Sequence, residues 1–527
     1  MSESAPPYTK TEAELDELRN ATRVLERIVE DPLLLAALPE AEQIRLRQAA
    51  GRIVYPDKRL IERRNKIKQR ARSEAKRAED RSVRAATEIR VARQQSVFVP
   101  PPTRLLGGPE TAGSAPDGSP EIVGSLANPR NCYVCKAEFL ELHFFYDSMC
   151  LACARFNYAK RSQTARLDGQ VAVITGARLK IGYQASLMML RAGARVIATT
   201  RFPQDSALRY AREPDYAEWR DRLEIYGLDL RHSPSVEIFS RYLDRTLDRL
   251  DILINNAAQT VRRPPGFYSH LMELEARPHD ALPPEARHLL RAHEQCKRAV
   301  LRPALDAPGT NWLSEWHAGE ADPALGIKAS AALSQIPYRC DEGSVVPEHF
   351  PVGRLDADLQ QVDLRAINSW RMTLAQVPTA ELLEVQLVNS IAPFILCAKL
   401  KPLMLRTPGR AKHVVNVSAM EGKFSRYTKT DKHPHTNMAK AALNMMTLTS
   451  ARDYAKDGIH MNAVDTGWVT DEDPAAISAA KQESHDFQPP LDIVDGAARV
   501  CDPFFVGALT QQHSWGNFFK DYAPTSW

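Results

Sequence analysis

Apolar residues early in the chain recur every three or four positions. Leu15, Leu18, Leu25 and Val29 keep coiled-coil-like spacing, Thr22 interrupts that seam and Pro32 closes it, so residues 11–31 are predicted as one helix. A second helix starts near Pro39, carries Glu40 and Glu42 where the helix dipole favours them, and ends at Gly51. From residue 57 to 93 there is neither proline nor glycine, and a single helix of roughly 55 Å fits at ~1.5 Å per residue. Past residue 168 the period changes. Residues 171–174 are apolar and largely β-branched, as a strand covered on both faces should be, and the run stops at Gly176. Ile181, Ala185, Leu187, Met188 and Leu190 then supply a helical stripe ended by Gly193, and residues 195–200 read as the next buried strand. Strand, turn, helix and strand make a βαβ unit.

Between these two regimes periodicity is lost. Pro100-Pro101-Pro102, Gly107-Gly108 and the Gly, Ser and Pro of 113–120 cannot sustain regular structure, so 96–130 is expected to link a helical arm (1–95) to the remainder of the chain. Cys132 and Cys135 form one Cys-x-x-Cys pair and Cys150 and Cys153 another, fourteen residues apart. Two intervening residues let both thiolates of a pair reach one ion, and two pairs complete a tetrahedral site. Residues 131–160 therefore read as a zinc module, and with sulfur at all four positions no place remains for water, so the metal is expected to be structural. Its few aromatics (Phe139, Phe144, Phe145, Tyr146) make too small a core, whereas a structural zinc contributes ~10 kcal/mol or more. Four buried thiols or a redox dithiol are the alternatives, and His143 is a further candidate ligand that aromatic packing explains as well. Cys296, Cys340, Cys397 and Cys501 are scattered, as reduced thiols would be.

At 527 residues the chain exceeds a single core, and its 44% hydrophobic and 25% charged residues match an ordinary soluble protein. A net charge of +4 gives no general case for nucleic acid. Residues 57–93 hold fourteen basic against six acidic residues, but no aromatics interleave to stack on bases; a solvated helix or a protein partner for the arm is expected rather than nucleic acid. No apolar run approaches the roughly 18 residues of a membrane span, and residues 1–7 lack a basic and then apolar signal, so a cytoplasmic protein without membrane contact is expected.

The turn Thr175-Gly176-Ala177-Arg178-Leu179-Lys180-Ile181-Gly182 would aim backbone N–H groups and a helix dipole at a phosphate. Asp229-Leu230 follows a short strand, Asn255-Asn256-Ala257-Ala258 follows residues 252–254, and Lys440 opens a helical pattern. Together these resemble the short-chain dehydrogenase/reductase family over residues 168–261 and 380 to about 525. The resemblance implies an α/β fold with a doubly wound parallel sheet over 165–527, a large insertion at about 262–379, a bound nicotinamide dinucleotide and a homo-oligomer. It assigns cofactor contacts to Thr175, Gly176, Arg178, Ile181, Gly182, Asp229, Leu230, Asn255, Ala257 and Lys440, and a nicotinamide-amide contact to Gly467, Val469 and Thr470. Arg201 stands where an acidic residue would hold a ribose 2′-hydroxyl, and an arginine there favours the 2′-phosphate of NADP, with NAD the alternative. Lys180 replaces the family's second glycine and crowds the pyrophosphate unless its ammonium turns onto that anion. The insertion, with Trp312, Trp316, Trp370 and a helix over 284–302, is expected to fold as a lid or pocket wall, or as a subunit contact.

The family protonates its substrate with a tyrosine four residues before the lysine and polarises it with a serine. Counting back from Lys440 gives Thr436, and the strand end aligns Ala419 with the serine and Ser418 one residue early. A threonine hydroxyl lacks the tunable acidity of a phenol. The substitutes at hand are Ser418 or Thr436 to polarise a carbonyl and His435 or Tyr427 to supply the proton, while Asn389 and Lys440 match the family's relay asparagine and lysine. The resemblance thus implies an NADP-dependent oxidoreductase acting on an unknown carbonyl or alcohol. The alternative is a dinucleotide-binding scaffold or assembly protein without turnover, whose zinc module and basic helix engage partners.

Overall fold

The computed structural model describes residues 11–55, 58–95, 97, 120–301, 322–341, 348–409, 411–426 and 428–527. The chain divides into two compact units, residues 1–79 and 80–527. In the first, Glu12–Glu30, Leu33–Ala36 and Glu40–Val54 are helical, and Thr11 closes a capping box with Glu14 at the start of the first helix. Leu18, Leu25 and Val29 of its seam are exposed.

The helix expected over 57–93 is in fact two, Lys58–Ala85 and Glu88–Gln94. At the break the Thr87 hydroxyl donates to the Arg84 carbonyl at 2.7 Å, and the N–H groups of Glu88 and Ile89 turn to the carbonyls of Phe144 and Phe145. Donors that would continue the helix are taken by another segment. The expected linker also ends early: β1 (Ile122–Asn131) pairs antiparallel with β2 (Glu138–His143), which satisfies its backbone groups despite Gly124 and Pro129. The Pro- and Gly-rich stretch before residue 120 lies outside the described residues.

The larger unit is organised by eight strands: β3 (Val171–Thr175), β4 (Arg195–Thr200), β5 (Leu223–Gly227), β6 (Ile252–Asn255), β7 (Lys412–Ser418), β8 (Ile459–Asp465), β9 (Phe518–Lys520) and β10 (Ala523–Thr525). Their order is β10-β9-β8-β7-β6-β3-β4-β5, with only the β9–β10 edge pair antiparallel. Strand alternation sets the layers. Ala172 and Ile174 face the core beneath helices Lys180–Arg191 and Ile493–Thr510, whereas Val171 and Val173 face Ser233–Thr246 and Ala392–Leu405. Helices on both faces make the sheet doubly wound, and the order reverses at β3, which has β4 on one side and β6 on the other. The carboxyl ends of β3 and β6 therefore open the crevice where such sheets take ligands.

One stretch departs from the expectation about apolar runs: Thr379–Leu405 is helical over 27 residues and by length and composition alone is apolar enough to cross a membrane. More than half of it is buried, with Leu396, Leu400 and Leu403 packed on the sheet. In the insertion, Pro265–Glu275 and Pro284–Leu301 are helices, and Trp370 stacks on His433 with ring centroids 3.9 Å apart. Trp312 and Trp316 lie outside the described residues.

Residues 131–160 are not a free-standing module. The hairpin β1–β2 and the helix Leu151–Arg161 share an apolar cluster with Val469 and Leu491, and the junction is ionic. Arg161, buried over the Phe145 ring, donates to both oxygens of Asp492 at 2.6 and 2.9 Å and lies 3.0 Å from Asp495, which the Tyr146 hydroxyl also reaches. Arg499 donates to Asn157 at 2.6 Å and Lys160 to Asp502 at 2.6 Å. Removing Arg161 would strand two buried carboxylates, so Arg161→Met is expected to cost about 3–5 kcal/mol in chemical denaturation, far more than the same change at the exposed Arg166.

Candidate dinucleotide and catalytic site

The first turn after β3 is held from the side by β6. The Thr175 hydroxyl accepts from the N–H groups of Asn256 and Ala257 at 3.1 and 3.0 Å, and the Asn256 amide donates to the carbonyls of Thr175 and Gly176 at 3.0 and 3.1 Å. Gly176 has φ +69°, and a Cβ there would lie 2.8 Å from the Ala257 Cα. A Cβ on Gly182 would lie 2.3 Å from the Gly176 oxygen and 2.4 Å from Asn256 Nδ2. Both positions demand glycine. Asn256, the clamp, was not among the candidate contacts, although the Asn255-Asn256 doublet pointed at it. Asn255 lies buried beneath, donating to Asn416 at 2.8 Å.

Above this turn is a cavity of about 350 Å³ at the carboxyl ends of the strands. Of the candidate cofactor contacts, Gly176, Arg178, Lys180, Ile181, Gly182, Arg201, Asp229, Leu230 and Ala257 line it; Thr175 and Asn255 support it from below, while Lys440, Gly467, Val469 and Thr470 do not line it. Arg201 donates to the Tyr268 hydroxyl at 2.7 Å and lies over that ring, 4.7 Å from its centroid, so the insertion's first helix builds part of the wall. Arg178 is buried and bonded to Asp205 at 2.7 Å; burial lowers its pKa against the pull of that carboxylate. Asp229 is gripped by Arg231, which reaches Glu384 as well; burial raises the Asp229 pKa but Arg231 outweighs it and holds the group below its usual value.

Lys180 has φ +53°, a lysine in the left-handed region that its glycine counterpart would enter freely. Its ammonium lies 3.4 Å from Asp358, in a tight turn of the insertion where Asp356 accepts from the N–H groups of Asp358 and Gln360. Burial works against that ammonium, yet Asp358, Glu472 and Asp356 prevail and raise its pKa. Lys180 thus stays charged beside the cavity, with a carboxylate as its present partner.

At the catalytic end the polar groups are engaged with the protein. The Lys440 ammonium donates to the Val417 carbonyl at 2.8 Å, and burial pushes its pKa down to about 8 while Glu421 and Asp465 oppose. Ser418 donates to Asn444 at 2.5 Å and Thr436 to the Thr260 carbonyl at 3.1 Å. Asn389 sits in a π-helical turn, Leu387–Ile391, and clips the Gln259 backbone, accepting its N–H at 2.7 Å and donating to its carbonyl at 3.0 Å. His435 is buried with neither ring nitrogen hydrogen-bonded and Nε2 3.9 Å from Glu381. Burial, then the neighbouring His433, hold it down at about 4, so at neutral pH it is uncharged, which counts against the acid role expected of it. Tyr427 lies outside the described residues. Of the expected nicotinamide loop, Gly467 abuts Tyr133 and Leu491, Val469 joins the apolar cluster of Cys132 and Phe139, and Thr470 donates to Glu472 at 2.9 Å.

The sulfurs of Cys132, Cys135, Cys150 and Cys153 all lie within 4.8 Å of one another, with Cys135 and Cys150 3.7 Å apart. A zinc tetrahedron has sulfur–sulfur edges of about 3.8 Å, so the set fits such an ion. The Ala137 N–H and the neighbouring thiols bring Cys135 down to about 7, whereas burial raises Cys150 and Cys153, so the fit to an ion rests on the sulfur geometry. His143 is not in this group; its Nδ1 accepts the Phe145 N–H at 3.1 Å, among the rings of Phe144, Tyr146 and Tyr158.

Residues 170–271 match the family model described as short chain dehydrogenase, and residues 353–491 match the one described as Enoyl-(Acyl carrier protein) reductase. An uncharacterized protein of Acanthamoeba polyphaga mimivirus is 30% identical over 405 residues, 74% of this chain and 74% of that protein. A short chain dehydrogenase/reductase of Colletotrichum higginsianum is 35% identical over 98 residues, 18% of this chain and 24% of its own. Retinol dehydrogenase 13 of Mus musculus is 31% identical over 94 residues, 18% of this chain and 28% of its own. Among solved structures, a dehydrogenase/reductase from Sinorhizobium meliloti superposes with a TM-score of 0.40 at 17% identity, covering 68% of this chain and 95% of that one. An NADPH-bound carbonyl reductase from chicken fatty liver gives 0.39 at 16% identity, covering 68% and 100%. With its glycine turn clamped by the Asn-Asn strand end, its doubly wound sheet and these two family matches, the chain belongs to the short-chain dehydrogenase/reductase family.

Proposed function

We propose that this protein is an oxidoreductase of the short-chain dehydrogenase/reductase type that binds NADP(H), with a carbonyl or alcohol as substrate. The observation that carries the reading is the cavity over the Gly176 turn, where Arg201 flanks the end of β4 and the carboxylate present, Asp229, is neutralised by Arg231. A guanidinium beside the ribose suits a 2′-phosphate, and the two glycines leave room for backbone N–H groups to meet a pyrophosphate. The nicotinamide supplies or accepts hydride when bound; the chain's task is to hold it and to handle the proton. For that, Lys440 and Thr436 sit four residues apart on one helix and so share a face. An ammonium with a pKa near 8 is matched to proton transfer at neutral pH, and the Thr436 hydroxyl is the group nearest in sequence through which it would pass. The four cysteines are assigned a structural zinc.

A second reading, binding without turnover, draws support from one observation: Ser418, Thr436 and Asn389 all spend their polar atoms on Asn444, Thr260 and Gln259.

Titrating the purified chain with NADPH by fluorescence and assaying a carbonyl panel separates the two. Turnover abolished in Lys440→Ala supports the enzyme, whereas tight binding without turnover supports the scaffold, and no uptake of either NADPH or NADH overturns both. Lys440 is charged below about 8, so if its ammonium holds the cofactor, NADPH affinity is expected to fall as pH rises through that value, a dependence lost in Lys440→Ala. Asp358 pairs with Lys180 beside the cavity and so competes with a phosphate for its ammonium, and Asp358→Asn is expected to tighten NADPH binding about 3- to 10-fold, the equivalent of about 1 kcal/mol.

A further inference from the structure

We propose that a thiophilic divalent cation held by Cys132, Cys135, Cys150 and Cys153 fixes the 467–470 loop through Tyr133 and, through the packing of Val469 and Ile181, braces the cleft wall beside the glycine turn. Tyr133 sits inside the first Cys-x-x-Cys pair, so metal bonds at Cys132 and Cys135 would pin its backbone on both sides. That backbone is shaped for the purpose: the Cys132 N–H donates to the Ala137 carbonyl at 2.8 Å, the Lys136 N–H to the Cys132 carbonyl at 3.0 Å, and the Tyr133 N–H to the Ser148 carbonyl at 2.8 Å. The last bond ties the first pair to the chain just before Cys150.

From this anchored turn the ring reaches across to the loop. The Tyr133 hydroxyl accepts the Trp468 N–H at 3.0 Å. Gly467, at φ +77°, comes so close that a Cβ there would lie 3.1 Å from the same hydroxyl and 2.4 Å from Leu491 Cδ1. Lys136 and Lys520 flank the ring, 5.3 and 5.4 Å from its centroid. Behind it, Cys132, Val469 and Leu491 share one apolar cluster, and Ile181, which lines the cavity beside the glycine turn, packs against it. A Cβ on Gly496 would strike both Ile181 and Val469, at 2.7 and 3.3 Å, so this packing has no slack. A continuous path of bonded and close-packed groups therefore runs from the sulfurs to the cavity wall. Without the ion, the turn that carries Tyr133 is held by its backbone hydrogen bonds and the apolar cluster alone, and the origin of the bond to Trp468 is less firmly fixed.

The loop effect stands on these contacts; its consequence for cofactor binding rests on the NADP(H) reading. The test uses the full chain, with zinc content measured by elemental analysis and the ion removed by 1,10-phenanthroline. Hydrogen exchange and NADPH titration are read in parallel. About one zinc per chain is expected. Stripping it should speed exchange at residues 467–470 at least 5-fold while β3, β4 and β6 keep their protection, and should weaken NADPH binding at least 5-fold. Tyr133→Phe, which removes only the hydroxyl, should keep its zinc and its melting temperature, yet show the same faster exchange at Trp468 and a 3- to 10-fold weaker NADPH affinity that added zinc does not restore. An absence of bound metal, unchanged exchange in the stripped protein, or a Tyr133→Phe variant equal to wild type in both readouts overturns the proposal. Exchange that follows zinc in a chain that takes up no NADPH supports metal control of the loop and removes the dinucleotide reading instead.

Discussion

The contact on which the cleft depends is backbone against backbone: the Gly176 turn pressed on Asn256 and Ala257. Because β3 lies between β4 and β6, the turn leaving β3 and the segment leaving β6 emerge side by side, and no side chain fits between them. The Asn256 amide and Thr175 hydroxyl then supply four hydrogen bonds across that seam, satisfying backbone groups that a sheet end leaves open. A rigid seam here fixes where the next helix starts, and hence where its dipole points. The charged side chains around it, Arg178, Lys180 and Arg201, take partners outside the seam, in Asp205, Asp358 and Tyr268.

Around that seam the insertion does more than cover. Tyr268 supports Arg201, Asp358 meets Lys180, and Asp341 binds Arg262, which donates its N–H to Glu381 beneath His435. Of these, the Asp358–Lys180 contact sets a charge of the insertion against an opposite charge of the core, Tyr268 offers Arg201 a neutral hydroxyl, and the Asp341–Arg262 pair lies within the insertion itself. In a part-buried setting such pairs lose hydration on forming, so they contribute register more surely than stability. Apolar packing joins the two stretches as well: Phe202 packs with Phe267, Tyr268 and Phe350, and Leu282, Leu289 and Leu290 belong to the core cluster under the sheet.

The origin of each contact explains which parts were legible in the sequence. The strands announced themselves through β-branched runs covered on both faces, and the turn through Gly176 and Gly182, whose lack of a side chain is a requirement of packing. The four cysteines were legible because metal-ligand geometry is local in sequence. The docking of their segment was not: Arg161 and Asp492 lie 331 positions apart, and nothing in either neighbourhood announces the other. The break at Thr87 escaped notice because the helix propensity of its flanks is unbroken and the competing acceptors, Phe144 and Phe145, belong to a distant hairpin. Lys180 could be located by its position, but its carboxylate partner sits in an insertion without a periodic signal. His435 looked like an available acid in a polar loop sequence, and burial, invisible in that sequence, left it a neutral imidazole.

The far end of the cleft poses the remaining physical question, why a lysine should be buried there with a threonine four residues before it. Surface lysines are replaced cheaply, but a buried ammonium is costly, and Lys440 is buried with a single hydrogen bond, to the Val417 carbonyl, and carboxylates at a distance. A structural position could be filled by a neutral residue at less expense. Its neighbour on the same helix face, Thr436, is held by the Thr260 carbonyl, and Thr260 comes directly after Gln259, whose backbone Asn389 grips. The segment after Ala257, which lines the cavity with Gln259 and Thr260, is therefore pinned from two helices. The present acceptor of the Thr436 hydroxyl is a backbone oxygen, and a hydroxyl exchanges such an acceptor by rotating about one bond. What the helix presents on that face is one buried charge and one rotatable hydroxyl.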